Sequence, residues 1–152
     1  SIYLDNNQIL FKTQDLEIIS RLIDGKFPDY NSIVPKEFDT RILVNKEDFI
    51  NALKLTSSLS SRVNEVRLKI KDKKVVEVYS SDNALGENNY LVPAKVNGAD
   101  CEIAFNWKYL LDGVKAISGD QVFIGLNGEN KPAIINTPGD SLYFYVLMPI
   151  KP

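Results

Sequence analysis

Two predicted helices, each introduced by a strand that ends in asparagine, constrain the fold of this chain more than any other feature. The first strand ends in Val44-Asn45 and the second in Phe105-Asn106. An asparagine at such a position can cap a helix, and several strands follow each helix. The order over residues 31–152 is strand, helix, four strands, helix, three strands. This pattern predicts an α+β domain with two helices on one face of antiparallel sheets and an internal pseudo-repeat.

The predicted elements follow from apolar spacing and turn residues. One helix is expected from Asn45 to about Ser60, and the other over residues 107–117. A long strand over residues 85–97 is predicted to turn at Gly98-Ala99 and return as strand 100–105. The last strand is predicted over residues 141–150, with a proline near its end.

The first thirty residues have a different organisation. They predict a three-stranded meander with no helix to cover it, which is marginal as an independent unit. Residues 24–38 contain one glycine and two prolines among polar residues and are predicted to be a connector. We therefore expect a domain boundary near Tyr30, with the meander belonging to a domain whose remainder is missing. The chain begins at Ser1 without a methionine, which leads us to expect a fragment or a processed chain.

The composition narrows the possible chemistry. The chain contains no histidine and one cysteine, so it lacks the commonest general base and any internal disulfide. Cys101 lies in the predicted strand 101–105, where a buried, inert thiol is expected rather than a nucleophile. No cofactor and no metal site are predicted. The formal net charge of −2 disfavours a simple basic DNA-binding domain, although one face could still contact DNA.

Charged residues leave two interpretations open. Lys46, Lys54, Lys108 and Lys115 lie on the predicted helices, away from the apolar positions. They form either ordinary solvated helix faces or loose phosphate contacts that do not read bases.

The twenty acidic residues lie mostly in turns or on polar strand faces. A carboxylate-dependent enzyme on an α+β scaffold is the alternative from a different class.

The C-terminal segment combines strand and groove features. Residues 142–148 are apolar and aromatic, and alternate positions suit a core strand. Pro149 ends the strand pattern, and Met148 and Ile150 flank it. A flexible methionine and an apolar residue beside prolines are also suited to the rim of an apolar groove.

Several segments in the same order resemble the bacterial DNA polymerase III beta subunit family, the replicative sliding clamps. These segments are residues 21–30 (RLIDGKFPDY), 66–68 (VRL), 103–112 (IAFNWKYLLD) and 145–149 (YVLMP). The resemblance covers essentially the whole chain and implies a C-terminal fragment. Residues 1–30 would then be the C-terminal part of clamp domain 2 plus a connector, and residues 31–152 would be clamp domain 3.

This resemblance implies a function without catalysis. Clamps of this family are rings of two subunits that encircle duplex DNA and tether the replicative polymerase in the cytoplasm. The helices face the DNA, which would make Lys46, Lys54, Lys108 and Lys115 DNA-facing residues. The implied partners are duplex DNA, contacted without sequence preference, the DNA polymerase III alpha subunit, the clamp loader, other polymerases and repair proteins. The full-length protein would be a homodimer ring, which this chain alone is expected not to close, with Leu55 at the ring-closing interface.

The resemblance also implies a site for partner peptides at the junction of domains 2 and 3. Family members bind short extended peptides there through buried leucine and phenylalanine anchors. The corresponding residues of this chain are Pro28, Ile33, Val63, Asn106, Tyr109, Pro132, Val146, Leu147, Met148, Pro149 and Ile150.

Overall fold

A computed structural model describes residues 1–139 and 142–151 of the chain. Predictions that involve Asp140, Ser141 or Pro152, including the predicted start of the last strand, lie outside the described residues. The chain divides into two compact units, Ser1–Tyr30 and a larger one that begins at Asn31. Within the described residues, no helix is long and apolar enough to cross a membrane.

The first unit is a three-stranded antiparallel sheet. Its strands are β1 (Ile2–Leu4), β2 (Gln8–Lys12) and β3 (Glu17–Arg21), paired in that order. The carboxylate of Asp5 accepts hydrogen bonds of 2.7 Å from the main chain at both Asn7 and Gln8, which fixes the first turn. Large apolar side chains on all three strands remain exposed, as expected for a small sheet that has no second layer.

The second unit contains two helices and eight strands among the described residues. A short 3-10 helix at Tyr30–Ser32 lies at the boundary between the units. The elements that follow are β4 (Thr40–Asn45), α1 (Lys46–Ser57), β5 (Glu65–Ile70), β6 (Val75–Asp82), β7 (Gly86–Gly98), β8 (Cys101–Asn106), α2 (Trp107–Ala116), β9 (Gln121–Leu126), β10 (Ala133–Asn136) and β11 (Phe144–Leu147).

The strand order carries the internal repeat. The eight strands form one antiparallel sheet in the order β11-β10-β9-β4-β7-β6-β5-β8. One repeat is β4-α1-β5-β6-β7 and the other is β8-α2-β9-β10-β11. Each half of the sheet contains three strands of one repeat and the first strand of the other, with β9 paired to β4 in one half and β5 paired to β8 in the other. The fold is therefore mixed α and β with two helices and antiparallel sheets, which confirms the predicted class.

The prediction that the long strand returns at Gly98-Ala99 is wrong. β8 pairs with β5 at the far edge of the sheet, where Phe105 lies opposite Val66. The turn is tied to the residues before β4 instead, because Thr40 donates a 2.7 Å hydrogen bond to the carbonyl of Ala99. Gly98 has a φ of +127°, and a Cβ there would lie 1.9 Å from the carbonyl oxygen of Asp39. This turn therefore begins a crossover and not a hairpin.

Both helices begin at the predicted asparagines. The Asn45 side chain accepts a 3.1 Å hydrogen bond from the main chain of Asp48, and Asn106 accepts one of 3.0 Å from Lys108. The first helix ends at Ser57, three residues before the predicted end. The hydroxyl groups of Ser57 and Ser58 donate back to carbonyls three residues earlier, and such bonds compete with the helical pattern.

The core lies between the helix pair and one face of the sheet. The buried residues of α1 are Phe49, Ala52, Leu53 and Thr56, and the first three join alternate residues of the strands in one apolar cluster. Leu110, Leu111 and Val114 of α2 belong to the same cluster. Because all these strand residues share one face, the opposite face of the sheet is the outer surface of the unit.

A glycine on α2 makes room for a ring from the last strand. A Cβ at Gly113 would lie 2.5 Å from Cδ1 of Tyr145, although the backbone of Gly113 is ordinary helix. Alanine normally stabilises a helix interior by about 1 kcal/mol relative to glycine. The contact with Tyr145 is therefore the physical reason for glycine at this position.

We expect Gly113→Ala to lower the free energy of unfolding of the second unit by about 1 to 3 kcal/mol, because overpacking outweighs the gain in helix propensity. Urea unfolding followed by the fluorescence of Trp107, the one tryptophan of the chain, measures this value. In a double-mutant cycle with Tyr145→Ala, the two losses should not add. A stabilised Gly113→Ala variant, or additive losses, would contradict this account.

Candidate peptide and DNA surfaces

The start of α2 gathers three of the predicted pocket residues. Asn106 caps the helix, and Tyr109 lies one turn later with 58% of its surface exposed. The loop that contains Val63 is bound to this point, because the main chain of Trp107 donates a 2.9 Å hydrogen bond to the carbonyl of Asn64. Asn64 adopts a positive φ of 58°, which brings the loop back to the helix.

The C-terminal tail approaches the same end of the unit. Leu147 lies opposite Ala133 in the pairing of β10 and β11, which places Pro132 at the level of Met148. Beyond the strand, the main chain of Ile150 donates a 2.8 Å hydrogen bond to the carbonyl of Ala104 on β8. Asn106 is two residues further along that strand. The described part of the tail therefore runs from β11 to β8, two residues before the strand reaches Asn106.

Exposed and buried side chains alternate over residues 148–150 of the tail, and this alternation is suited to a binding surface. Met148 is 53% exposed and Pro149 is buried, while Ile150 is half-buried. The pairing of Leu147 with Ala133 fixes the main chain before the exposed methionine, and the buried proline and the Ile150 hydrogen bond fix it afterwards. A flexible apolar side chain on a fixed backbone is suited to contact with apolar partner side chains.

Tyr145 connects the tail to the helix. Its ring packs on Gly113, and Tyr109 lies four residues earlier on the same side of α2. Burial raises the pKa of the Tyr145 phenol, and the nearby Asp112, Tyr143 and Tyr109 raise it further. Tyr145 is absent from the predicted pocket, and sequence spacing gave no sign of its contact with the helix.

Not all the predicted pocket residues point to one surface. Leu147 is 6% exposed and belongs to the core cluster, whereas Val146 pairs with Ile134, which lies outside that cluster. Val146 therefore faces the outer side of the sheet, and Leu147 faces the helices. Ile33 is exposed in the connector of the second unit. Pro28 is exposed in the first unit.

The four helix lysines differ in their surroundings. Lys54, Lys108 and Lys115 are exposed, and the ammonium of Lys108 lies 5.6 Å from the centre of the Trp107 ring. Lys46 is half-buried and donates to the carbonyls of Lys115 and Ile117 at the end of α2. Its charge therefore stabilises a helix C-terminus. Arg62, which the sequence interpretation left out, adds an exposed cation in the loop at the start of α2.

Three carboxylates meet in a cleft on the outer side of the sheet, and two of them are paired with a cation. The cleft contains Glu65, Glu102 and Glu129. Arg67 donates to Glu65 at 2.6 Å and to Glu102 at 3.2 Å, and these hydrogen bonds raise the pKa of its guanidinium. Glu65, Arg67 and Glu102 therefore form an ion-pair cluster on the surface.

The cysteine has no feature of a nucleophile. Cys101 is a free, half-buried thiol at the start of β8, less buried than the sequence predicts. Burial raises its pKa, which keeps the thiol protonated and unreactive at neutral pH.

Comparison with known proteins identifies the family. The sequence model for the C-terminal domain of the DNA polymerase III beta subunit matches residues 31–151. The chain belongs to this family. The beta sliding clamp of Bacillus subtilis is 31% identical over 99% of this chain, and that of Staphylococcus aureus is 32% identical over the same share. The chain spans about 40% of the length of either relative.

Solved structures of sliding clamps have the same fold. The DNA polymerase sliding clamp of Bacillus subtilis matches with a TM-score of 0.90 at 30% identity, over 99% of this chain and 40% of that one. A sliding clamp of Bartonella birtlesii, solved bound to griselimycin, gives the same TM-score, identity and coverage. The relationship to sliding clamps predicted from the sequence is confirmed. The family is a non-catalytic one, which decides against the carboxylate-dependent enzyme.

We expect Lys46→Met to lower the free energy of unfolding of the second unit by about 1 kcal/mol, because the end of α2 loses a charged hydrogen-bond donor. Trp107 fluorescence in urea measures the change. Lys71→Met, at an exposed turn position, removes the same charge away from any helix end and should stay within about 0.5 kcal/mol of the parent. Equal effects of the two substitutions would show that the helix-end contact contributes nothing.

Proposed function

We propose that the chain is the C-terminal part of a processivity factor that encircles duplex DNA and tethers the replicative polymerase. The family match over residues 31–151 carries this proposal. The first unit would be the end of clamp domain 2 with its connector, and the second unit would be clamp domain 3. Tethering is topological, so no bond is made or broken. A cytoplasmic location accords with this role.

The proposed DNA surface is the exposed side of the two helices. Lys54, Lys108 and Lys115 are its exposed cations, whereas the Lys46 ammonium already binds two carbonyls and contributes less. The acidic Glu47 and Asp48 on α1 and Asp112 on α2 moderate the charge. Few and weak phosphate contacts suit sliding, because strong contacts would hold the protein at one place.

The proposed peptide site is an apolar surface at the start of α2 and along the tail. Tyr109 and Met148 are exposed there, and Pro132 and Ile150 are half-buried beside them. Leucine and phenylalanine anchors of partner peptides would pack on these side chains. The partners would be the DNA polymerase III alpha subunit, the clamp loader, other polymerases and repair proteins. The contribution of Pro28 rests on the family resemblance alone.

A free strand edge supports the proposed ring-closing interface. Residues 86–93 of β7 pair with β6, and the pairing of β7 with β4 covers only residues 94–98. Among the described residues of the second unit, no strand pairs with the other edge of residues 86–93. Leu55 is 54% exposed beside this edge, and its carbonyl accepts a 3.2 Å hydrogen bond from Asn88. An exposed edge with apolar neighbours is suited to pairing with another subunit.

A fluorescent clamp-binding peptide with Gln, Leu and Phe anchors should bind this chain saturably, and Met148→Ala should weaken binding about tenfold, which corresponds to about 1.4 kcal/mol. Fluorescence anisotropy measures both affinities. Leu85→Ala removes an equally exposed apolar side chain elsewhere in the unit and should leave the affinity unchanged.

Absence of binding to this chain would have to be compared with the full-length protein. If the full-length protein binds and Met148→Ala weakens it, the site needs the earlier part of domain 2. If the full-length protein does not bind, or if Met148→Ala has no effect there, the proposed site is wrong.

We also expect light scattering to give the mass of a single chain, 17.1 kDa, at micromolar concentration. The neighbouring subunit would pair with residues 86–93 through its first domain, which this chain does not supply. A stable closed dimer of this chain would contradict the proposed interface.

A further inference from the structure

The outer face of the sheet contains a second apolar groove, across β7, β4 and β9. Lys95, Leu43 and Phe123 lie opposite one another on these strands. In the next row on the same face, Asn97, Arg41 and Gly125 are opposite one another. Apart from Gly125, these residues and Pro138 line a groove of about 290 Å³. It shares no residue with the peptide surface at the start of α2.

This groove combines an apolar floor with unpaired positive charge. Leu43 and Phe123 are half-buried at its floor, and Arg41 and Lys95 are exposed at its sides. Over residues 1–139 and 142–151, neither cation has an ion-pair partner. Two cations on the other half of the outer face are paired, since Arg67 binds two glutamates and Lys69 lies 3.9 Å from Glu77.

The chain itself shows which kind of segment fits this surface. Phe38 of the connector lies over Gly125, where a Cβ would be 2.4 Å from its ring, and it packs edge-on against Phe123 at 5.6 Å. Its neighbours in sequence are Glu37 and Asp39. The side chain of Asn127 holds them through hydrogen bonds of 2.7 Å to the Glu37 carbonyl and 2.9 Å from the Asp39 main chain. An aromatic ring flanked in sequence by two acidic residues is thus already seated beside the groove, held by the contacts of its ring and by its main chain.

We propose that the groove binds an extended segment of a partner protein in which an aromatic or aliphatic side chain is flanked by carboxylates. The apolar side chain would pack on Leu43 and Phe123, and the carboxylates would bind Arg41 and Lys95. Arginine binds carboxylates in a bidentate manner, which would orient the segment. The proposal rests on charge complementarity and on the seated Phe38 segment, and it does not depend on the clamp function.

The probe is a fluorescein-labelled peptide with a central phenylalanine flanked by two glutamates on each side, titrated against the whole chain. We expect saturable binding that Arg41→Glu and Lys95→Glu together weaken at least tenfold. Lys71→Glu makes the same charge change at an exposed turn and should leave the affinity unchanged. The double variant should unfold in urea at the same midpoint as the parent when followed by Trp107 fluorescence, which shows that it is folded. Amide chemical-shift changes should be confined to residues near positions 41–43, 95–97 and 123.

Three results would overturn the proposal. The first is no saturable binding at millimolar peptide. The second is equal weakening by Lys71→Glu, because that would show attraction to the overall charge. The third is undiminished binding when serine replaces the phenylalanine, together with displacement by a short oligonucleotide, since this would indicate a phosphate site. A peptide with lysine in place of each glutamate should not bind, and binding of that peptide would equally exclude the proposed recognition.

Discussion

The pairing of β4 with the second half of β7 is the contact on which the rest of the second unit depends. β7 is long enough to pair with β6 over residues 86–93 and with β4 over residues 94–98, and so it joins the two halves of the sheet. Joining them creates one continuous inner face that the helix pair covers. Among the described residues of this unit, the same arrangement leaves the first half of β7 with a free edge, and it places Lys95 beside Leu43 on the outer face. The apolar core, the free edge of β7 and the groove on the outer face thus all result from the pairing of β7 with both β6 and β4.

The two repeats share a backbone but use equivalent positions differently. Lys46 and Trp107 are each the first residue of a helix, and each reaches the end of the other helix. Lys46 donates to carbonyls at the end of α2, whereas the Trp107 indole donates a 3.1 Å hydrogen bond to the hydroxyl of Ser60, just beyond α1. Opposite helix ends are therefore joined by one charged and one neutral contact. The repeated backbone places the first residue of each helix near the end of the other helix, and the different side chains at these two positions make different kinds of contact.

Sequence reasoning succeeded where the cause of a structure is local. Asn45 and Asn106 cap their helices through the main chain two or three residues away, and such a signal can be recognised without knowing the fold. It failed at Gly98, because a turn residue shows where the chain bends and not which strand it next pairs with. The bend at Gly98 is fixed by the Asp39 carbonyl and by Thr40, about sixty residues earlier. The role of Lys46 was missed for the same reason.

The candidate peptide surface shows what a family resemblance can transfer. The resemblance indicates which positions of the chain correspond to the family's peptide pocket, and it predicts that all five residues of the segment 146–150 line that pocket. Strand geometry then divides that segment, because neighbouring side chains on β11 face opposite sides of the sheet. Leu147 supports the surface from the core, Val146 faces outward, and Met148 is exposed only after the strand has ended. The position of the exposed methionine therefore depends on the buried Pro149 and on the Ile150 hydrogen bond to Ala104. These two contacts direct the tail away from the path that β11 would follow if the strand continued.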